Sequence, residues 1–290
     1  MGYGRGVART RKLFAALTRR GPNKVLRGDL AFAGIPGVVY TPESGFNLPG
    51  VAFGHDWLTD AGHYEGTLEH LASWGIVAAA PDTERGVAPS VLNLAYDLGT
   101  TLDIIAGVRL GPGPISVHPT KLALAGHGFG ASAAVFAAAG LSGTGPGMRP
   151  KAVAALFPAV TKPPSQQPAA ALKVAGLVLA APDDAQSLRT DALELAQAWD
   201  GAVLKVVSKA KAAGLAEKRQ FSRVLGLPGS SSGTQKTVRA LLTGFLLFHL
   251  TGDKAYKEFA EADAVLPKTE QPDPEAPPVT PEDRIVALLR

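Results

Sequence analysis

The stretch KLALAGHGFGAS, residues 121–132, decides the fold. Its first half is an unbroken apolar run of strand type. Its second half opens the small-residue helix GFGASAAVFAAAG. A strand that turns this abruptly into a helix needs glycine on both sides of the turn, so that the two elements pack without side chains between them. The central residue of such a Gly-x-X-x-Gly turn projects its side chain above the sheet, where a nucleophile is mounted when there is one. Here that residue is Gly128, and glycine mounts nothing.

Outward from this turn, GVVYTP and the segment from Gly50 to His55 read as strands. Tyr64, Leu68, Leu71 and Trp74 share one helical face. IVAAAPD is a buried strand ended by Pro81, and Val91, Leu94, Leu98, Leu102 and Ile105 make a second helical stripe. Beyond the turn, VAALF and AGLVLAAPDD read as strands and Leu188 to Trp199 as a helix. RVLGLP reads as the last strand, and Val238, Leu241, Leu242, Phe245 and Leu250 lie on a final helix. Apolar strands alternating with helices predict an α/β fold, with a mostly parallel sheet covered by helices on both faces. The span from Val160 to Lys173 is too short for a lid domain, so an open cleft is expected. Three segments follow: a basic arm at 1–28, the α/β domain at 29–260, and an acidic, Pro-rich tail at 261–290. The tail ends in a short helix carrying Ile285, Leu288 and Leu289.

The formal charge of +4 conceals a polarity along the chain. Residues 1–28 hold eight Lys and Arg and no acid, whereas residues 258–283 hold eight acids against Lys268 alone. The body between is near neutral, which argues against nucleic-acid binding by the core. With no cysteine, disulfides, thiolate metal sites and a cysteine nucleophile are excluded. The basic N-terminus runs into no long apolar stretch, so it does not read as a secretory signal, and no segment has the length of a membrane span. The expectation is a cytoplasmic protein. Leu13, Phe14 and Leu17, opposite Arg9, Lys12, Arg19 and Arg20, make residues 1–28 a candidate contact with an anionic membrane face, the alternative being an arm that is disordered or docked on its own domain.

Gly126, Gly128 and Ala131 also fit the dinucleotide fingerprint G-x-G-x-x-G/A. That motif needs an acid about twenty residues further on to hold the ribose. No Asp or Glu occurs between Asp103 and Asp183, and at least three strands come before the motif instead of after it. No cofactor is therefore expected. His55, Asp56 and His127 have no recognised ligand spacing, so no metal is expected either.

The order of motifs resembles the dienelactone-hydrolase-like branch of the α/β-hydrolases, which includes polyester-hydrolase and cutinase-type enzymes of actinobacteria. The resemblance covers roughly residues 35–260 and rests on GVAFGHDW, IVAAAPD, GHGFGA, LVLAAPDD and HLTGDKAYKEF in that order. It implies an oxyanion loop at His55, Asp56 and Trp57, a catalytic serine where this chain has Gly128, and an acid at Asp183 or Asp184. It also implies a histidine in the loop LGLPGSSSG, where Ser231 or Ser232 stands. His127 matches the residue beside the nucleophile, which packs rather than reacts. Asp56 brings a carboxylate close to where an oxyanion would develop, which opposes that charge. The acid at 183–184 has a plainer reading as a helix cap. Loss of both serine and histidine implies a non-catalytic homologue that binds a lipid, an ester or a protein around His55, Asp56, Trp57, His127 and Phe129. The competing expectation is a working esterase or lyase that uses other groups, such as His127 with Asp184.

Overall fold

The computed structural model describes residues 3–140, 149–217 and 229–270. The strands are β1 (Val25–Asp29), β2 (Gly37–Pro42), β3 (Gly45–Gly54), β4 (Val77–Pro81), β5 (Ile115–His127), β6 (Ala152–Leu156), β7 (Ala175–Ala180), β8 (Ala202–Val207) and β9 (Thr269–Glu270). They form one sheet in the order β1-β2-β4-β3-β5-β6-β7-β8-β9. The run from β4 to β8 is parallel, while β1, β2 and β9 pair antiparallel at the two edges. The helices are α1 (Tyr3–Leu17), α2 (Glu65–Ser73), α3 (Val91–Gly107), α4 (Phe129–Ala138), α5 (Gln166–Ala169), α6 (Ala192–Ala198) and α7 (Ser232–Thr251).

Alternation along the central strands assigns each side chain to one of two cores. Val51 and Phe53 of β3, Ala123 and Ala125 of β5, and Leu177 and Leu179 of β7 face α2 and α7. Ala52, Leu122, Leu124, Val178 and Ala180 face α3, α4 and α6. Helices thus cover both faces, as the sequence pattern implies. A slip of one residue in β5 would exchange its leucines for alanines on both faces at once, so the register is strongly specified.

The chain departs from the sequence reading in three places. AVLKVV forms β8, although Lys205 interrupts its apolar run; Lys205 is buried, and its Nζ donates to the carbonyls of Ala262 and Ala264 at 2.5 and 2.7 Å. The helix expected from Leu188 starts only at Ala192, because residues 189–191 run beside 158–160 with Val160 and Asp191 donating main-chain N–H bonds across. β1 spans the boundary placed after residue 28 and is part of the sheet. Of the readings open for the basic arm, the structure has the docked one: Phe14 and Leu17 are buried, and Phe14 lies against Phe259. Its apolar stripe is therefore covered by the domain and is not available to enter a bilayer. RVLGLP and the C-terminal segment 280–289 lie outside the described residues. Among the described residues no helix is long and apolar enough to cross a membrane.

Candidate functional site

β5 passes into α4 at Gly128, whose φ of 54° and ψ of −115° belong to a region that side-chain-bearing residues avoid. The flanking glycines have a different task. A Cβ on Gly54 or Gly126 would strike the backbone of Gly130, and one on Gly130 would strike Gly54. Glycine at these positions lets the start of α4 rest directly on the ends of β3 and β5.

The loop after β3 is folded back over this turn. The carbonyl of Asp56 accepts the N–H and the Oγ1–H of Thr59 at 3.2 and 2.6 Å, and its N–H donates to the Tyr64 hydroxyl at 3.1 Å. With its backbone held at both ends, Asp56 extends its carboxylate over Gly128. Oδ1 accepts the N–H of Phe129 at 3.0 Å. A side chain on Gly128 would collide with that same carboxylate. Asp56 therefore holds the first free amide of α4, the place where a helix N-terminus receives an anion.

The two histidines of the site are held by the main chain. His55 is fully buried, with Nδ1 2.9 Å from the Asp56 carbonyl and Nε2 2.7 Å from that of Thr83. His127 lies under the turn, 1% exposed. Its Nε2 donates to the Ala212 carbonyl at 2.9 Å, and in the neutral ring Nδ1 accepts from the Tyr64 hydroxyl at 2.7 Å. Its ring also packs edge-on against Phe157. The pairing of His127 with Asp184 is not formed, because both ring nitrogens are engaged elsewhere.

Asp184 is buried after β7, one strand beyond the neighbour of β5, which puts it about 10 Å across the sheet from the turn. Its Oδ2 accepts the N–H of Leu193 at 3.1 Å and so caps the start of α6. Its Oδ1 is buried without a hydrogen-bond partner among the described residues. Asp183 is exposed. Ser231 caps α7, accepting the N–H of Thr234 at 3.3 Å, and its own N–H donates to the Gly214 carbonyl at 2.9 Å. The turn Ala212–Leu215 thus ties the N-terminus of α7 to His127, whereas Ser232 is exposed.

Around this centre stands an apolar rim. Trp57, Leu58, Val87, Val160 and Leu188 are 48–80% exposed, and they follow the C-terminal ends of β3, β4, β6 and β7. Trp57 joins two of these loops by donating Nε1–H to the Val87 carbonyl at 3.2 Å. Phe129 is half-buried and packs into the core below. The sequence reading named Trp57 alone among the rim residues; the others are single apolar residues in polar loops and carry no periodic signal. It also missed Tyr64, whose hydroxyl links Asp56 to His127 but whose spacing marks only a helical core position. No group of three or more potential metal ligands comes together among the described residues. No family model matches the chain, and no curated protein matches it.

Proposed function

We propose that this chain is an α/β-hydrolase homologue that has lost nucleophilic catalysis and works by binding, in the cytoplasm, at the apolar rim around its former site. One observation carries the reading: the Asp56 carboxylate lies over Gly128 and takes the N–H of Phe129. In the α/β-hydrolases the oxyanion is received by the N–H of the residue after the nucleophile, together with an N–H from the loop after the third strand. Here that loop delivers a carboxylate to the first of those amides. A fixed negative charge in this place opposes a second one developing there. The unpartnered Oδ1 of Asp184 supports the same history, since a buried acceptor left empty costs about 1–3 kcal/mol and is the oxygen on which a triad histidine would be oriented.

The rim and the carboxylate beneath it favour a neutral, partly apolar ligand, such as an ester or a monoacyl lipid, over an acid. Trp57 is the reporter, being exposed while Trp199 is buried and Trp74 lies half-buried against the opposite core. A neutral monoacylglycerol should change the emission of Trp57, and the change should vanish in Trp57→Phe. A fluorophosphonate probe should leave the protein unlabelled under the same conditions. Labelling at any serine would overturn the non-catalytic reading.

A further inference from the structure

We propose that the outward face of α1, together with Lys254 and Lys257, is a docking surface for an anionic phospholipid bilayer that holds the protein chiefly by charge. Docking of α1 buries Thr10, Phe14 and Leu17 and leaves Ala8, Arg9, Arg11, Lys12, Ala15 and Ala16 in solvent, with Arg19 and Arg20 just beyond. Beside Arg9 a hollow of about 260 Å³ is bounded by Leu13, Phe259, Lys254 and Lys257. Two acids line the same hollow, and both are engaged: Glu258 accepts from the Thr10 hydroxyl, and Glu261 pairs with Lys257. Nearby, Glu69 pairs with Arg20. Arg9, Arg11, Lys12, Arg19 and Lys254 are left with no ion pair among the described residues.

Five cations with no ion pair among the described residues, three on α1, Arg19 just beyond it and Lys254 beside it, attract an anionic surface at a strength that falls with added salt. Three features favour a bilayer over a nucleic acid. Apart from its cations, the exposed described residues of α1 are alanines, so no amide side chain is offered to base edges. Among the residues whose side chains are described, no exposed aromatic lies on this face for bases to stack on; Phe32, Phe46, Trp57 and Tyr96 are on other elements. The hollow sets an apolar wall of Leu13 and Phe259 beside Arg9 and Lys254, which suits a phosphodiester attached to a glyceryl and acyl group.

The full chain should sediment with vesicles of phosphatidylcholine mixed with phosphatidylglycerol, at low salt, and not with vesicles of phosphatidylcholine alone. The pair Arg9→Glu and Lys254→Glu should weaken this at least tenfold. The pair Lys151→Glu and Lys173→Glu makes the same change in net charge at exposed lysines elsewhere and should weaken it less than threefold. Circular dichroism and thermal melting should be alike for all three proteins, since neither the Arg9 nor the Lys254 side chain makes a hydrogen bond or ion pair among the described residues. Equal loss from the two pairs, or equal binding to neutral vesicles, would overturn the proposal. So would tighter retention on duplex DNA than on vesicles at matched phosphate, lost with Arg9 and Lys254, which would make this face a nucleic-acid surface.

Discussion

The carboxylate of Asp56 occupies the space that a side chain on Gly128 would need, and it is fixed there by the N–H of Phe129. The two positions therefore constrain each other. Gly128→Ser should lower stability by about 1–3 kcal/mol through overlap alone, with strain from the positive φ in addition. In a chain that also carries Asp56→Gly the overlap is gone, and the serine should cost about 1 kcal/mol or less. A double-mutant cycle on urea midpoints measures the difference. Additive effects would mean that the loop after β3 moves aside freely.

Asp56 should be separable into charge and hydrogen bond. Asp56→Asn keeps an oxygen for the Phe129 N–H and should stay within about 1 kcal/mol of the parent. Asp56→Ala leaves that buried amide without its acceptor and should lose about 1–3 kcal/mol. Thermal melts of the two variants at matched pH are sufficient. A more stable Asp56→Ala would show that the carboxylate is kept at a cost to the fold.

His70 gives the protein a pH-dependent stability. It lies buried on α2, and burial, with the Arg239 charge added, holds its pKa down from 6.5 to about 4, against a bond to the Leu17 backbone that works the other way. Above pH 6.5 the ring is neutral whether folded or unfolded. Between 6.5 and about 4 the unfolded chain takes up a proton that the folded chain refuses, so stability falls as pH falls through this window. The slope is about 1.4 kcal/mol per pH unit and flattens once the folded ring also titrates. His70→Leu should remove this component, read as the difference between parent and variant in urea midpoints at pH 7 and pH 5. Parallel pH profiles would show that another group accounts for the dependence.

The turn at residues 121–132 was legible because its chemistry is dense: an apolar strand, glycines at fixed spacing and a small-residue helix agree with one another. That position 128 is glycine and position 231 serine was legible for the same reason, since an absent side chain is visible in a sequence. That Asp56 reaches the Phe129 N–H was not, because it depends on how the Asp56–Thr59 turn and the Tyr64 hydroxyl aim one side chain. β8 was passed over because Lys205 reads as a surface residue until the carbonyls that receive it, nearly sixty residues on, are known. Docking of α1 was equally hidden. An amphipathic stripe shows that a helix must cover its apolar face, but not what covers it.

Lys205 should prove to be the anchor of the segment that ends in β9. Met in its place fills the same stem volume but leaves the Ala262 and Ala264 carbonyls unbonded, at about 1–3 kcal/mol. The local consequence is more specific than the global one. Hydrogen exchange of the amides from 262 to 270 should speed up well before that of β5 or β6, because among the described strands β9 pairs with β8 alone. Unchanged exchange across 262–270 would mean that the segment is held by Leu266 and its other packing contacts instead.

Restoring catalysis tests the reading of the site most directly, because each missing part has its own position. Wild type and Gly128→Ser should both stay near the buffer rate on a short-chain nitrophenyl ester. In the single variant the new hydroxyl is jammed against Asp56 and has no histidine to take its proton. Adding Ser231→His should still give little. The residue stands at the N-cap of α7, tied through Gly214 to the turn that receives His127, but the oxyanion amide of Phe129 remains occupied by a carboxylate. Only the further change Asp56→Gly frees that amide, and activity should first rise clearly above buffer at this step. Triad members act as a unit, so the gain should be far from additive. Activity that appears already with Gly128→Ser would mean that a base stands within reach of position 128, and pH–rate profiles of His55 and His127 variants would identify it. Activity that fails to rise when Asp56 is removed would place the block elsewhere, with the Oδ1 of Asp184 still unengaged by the new histidine as the next point to examine.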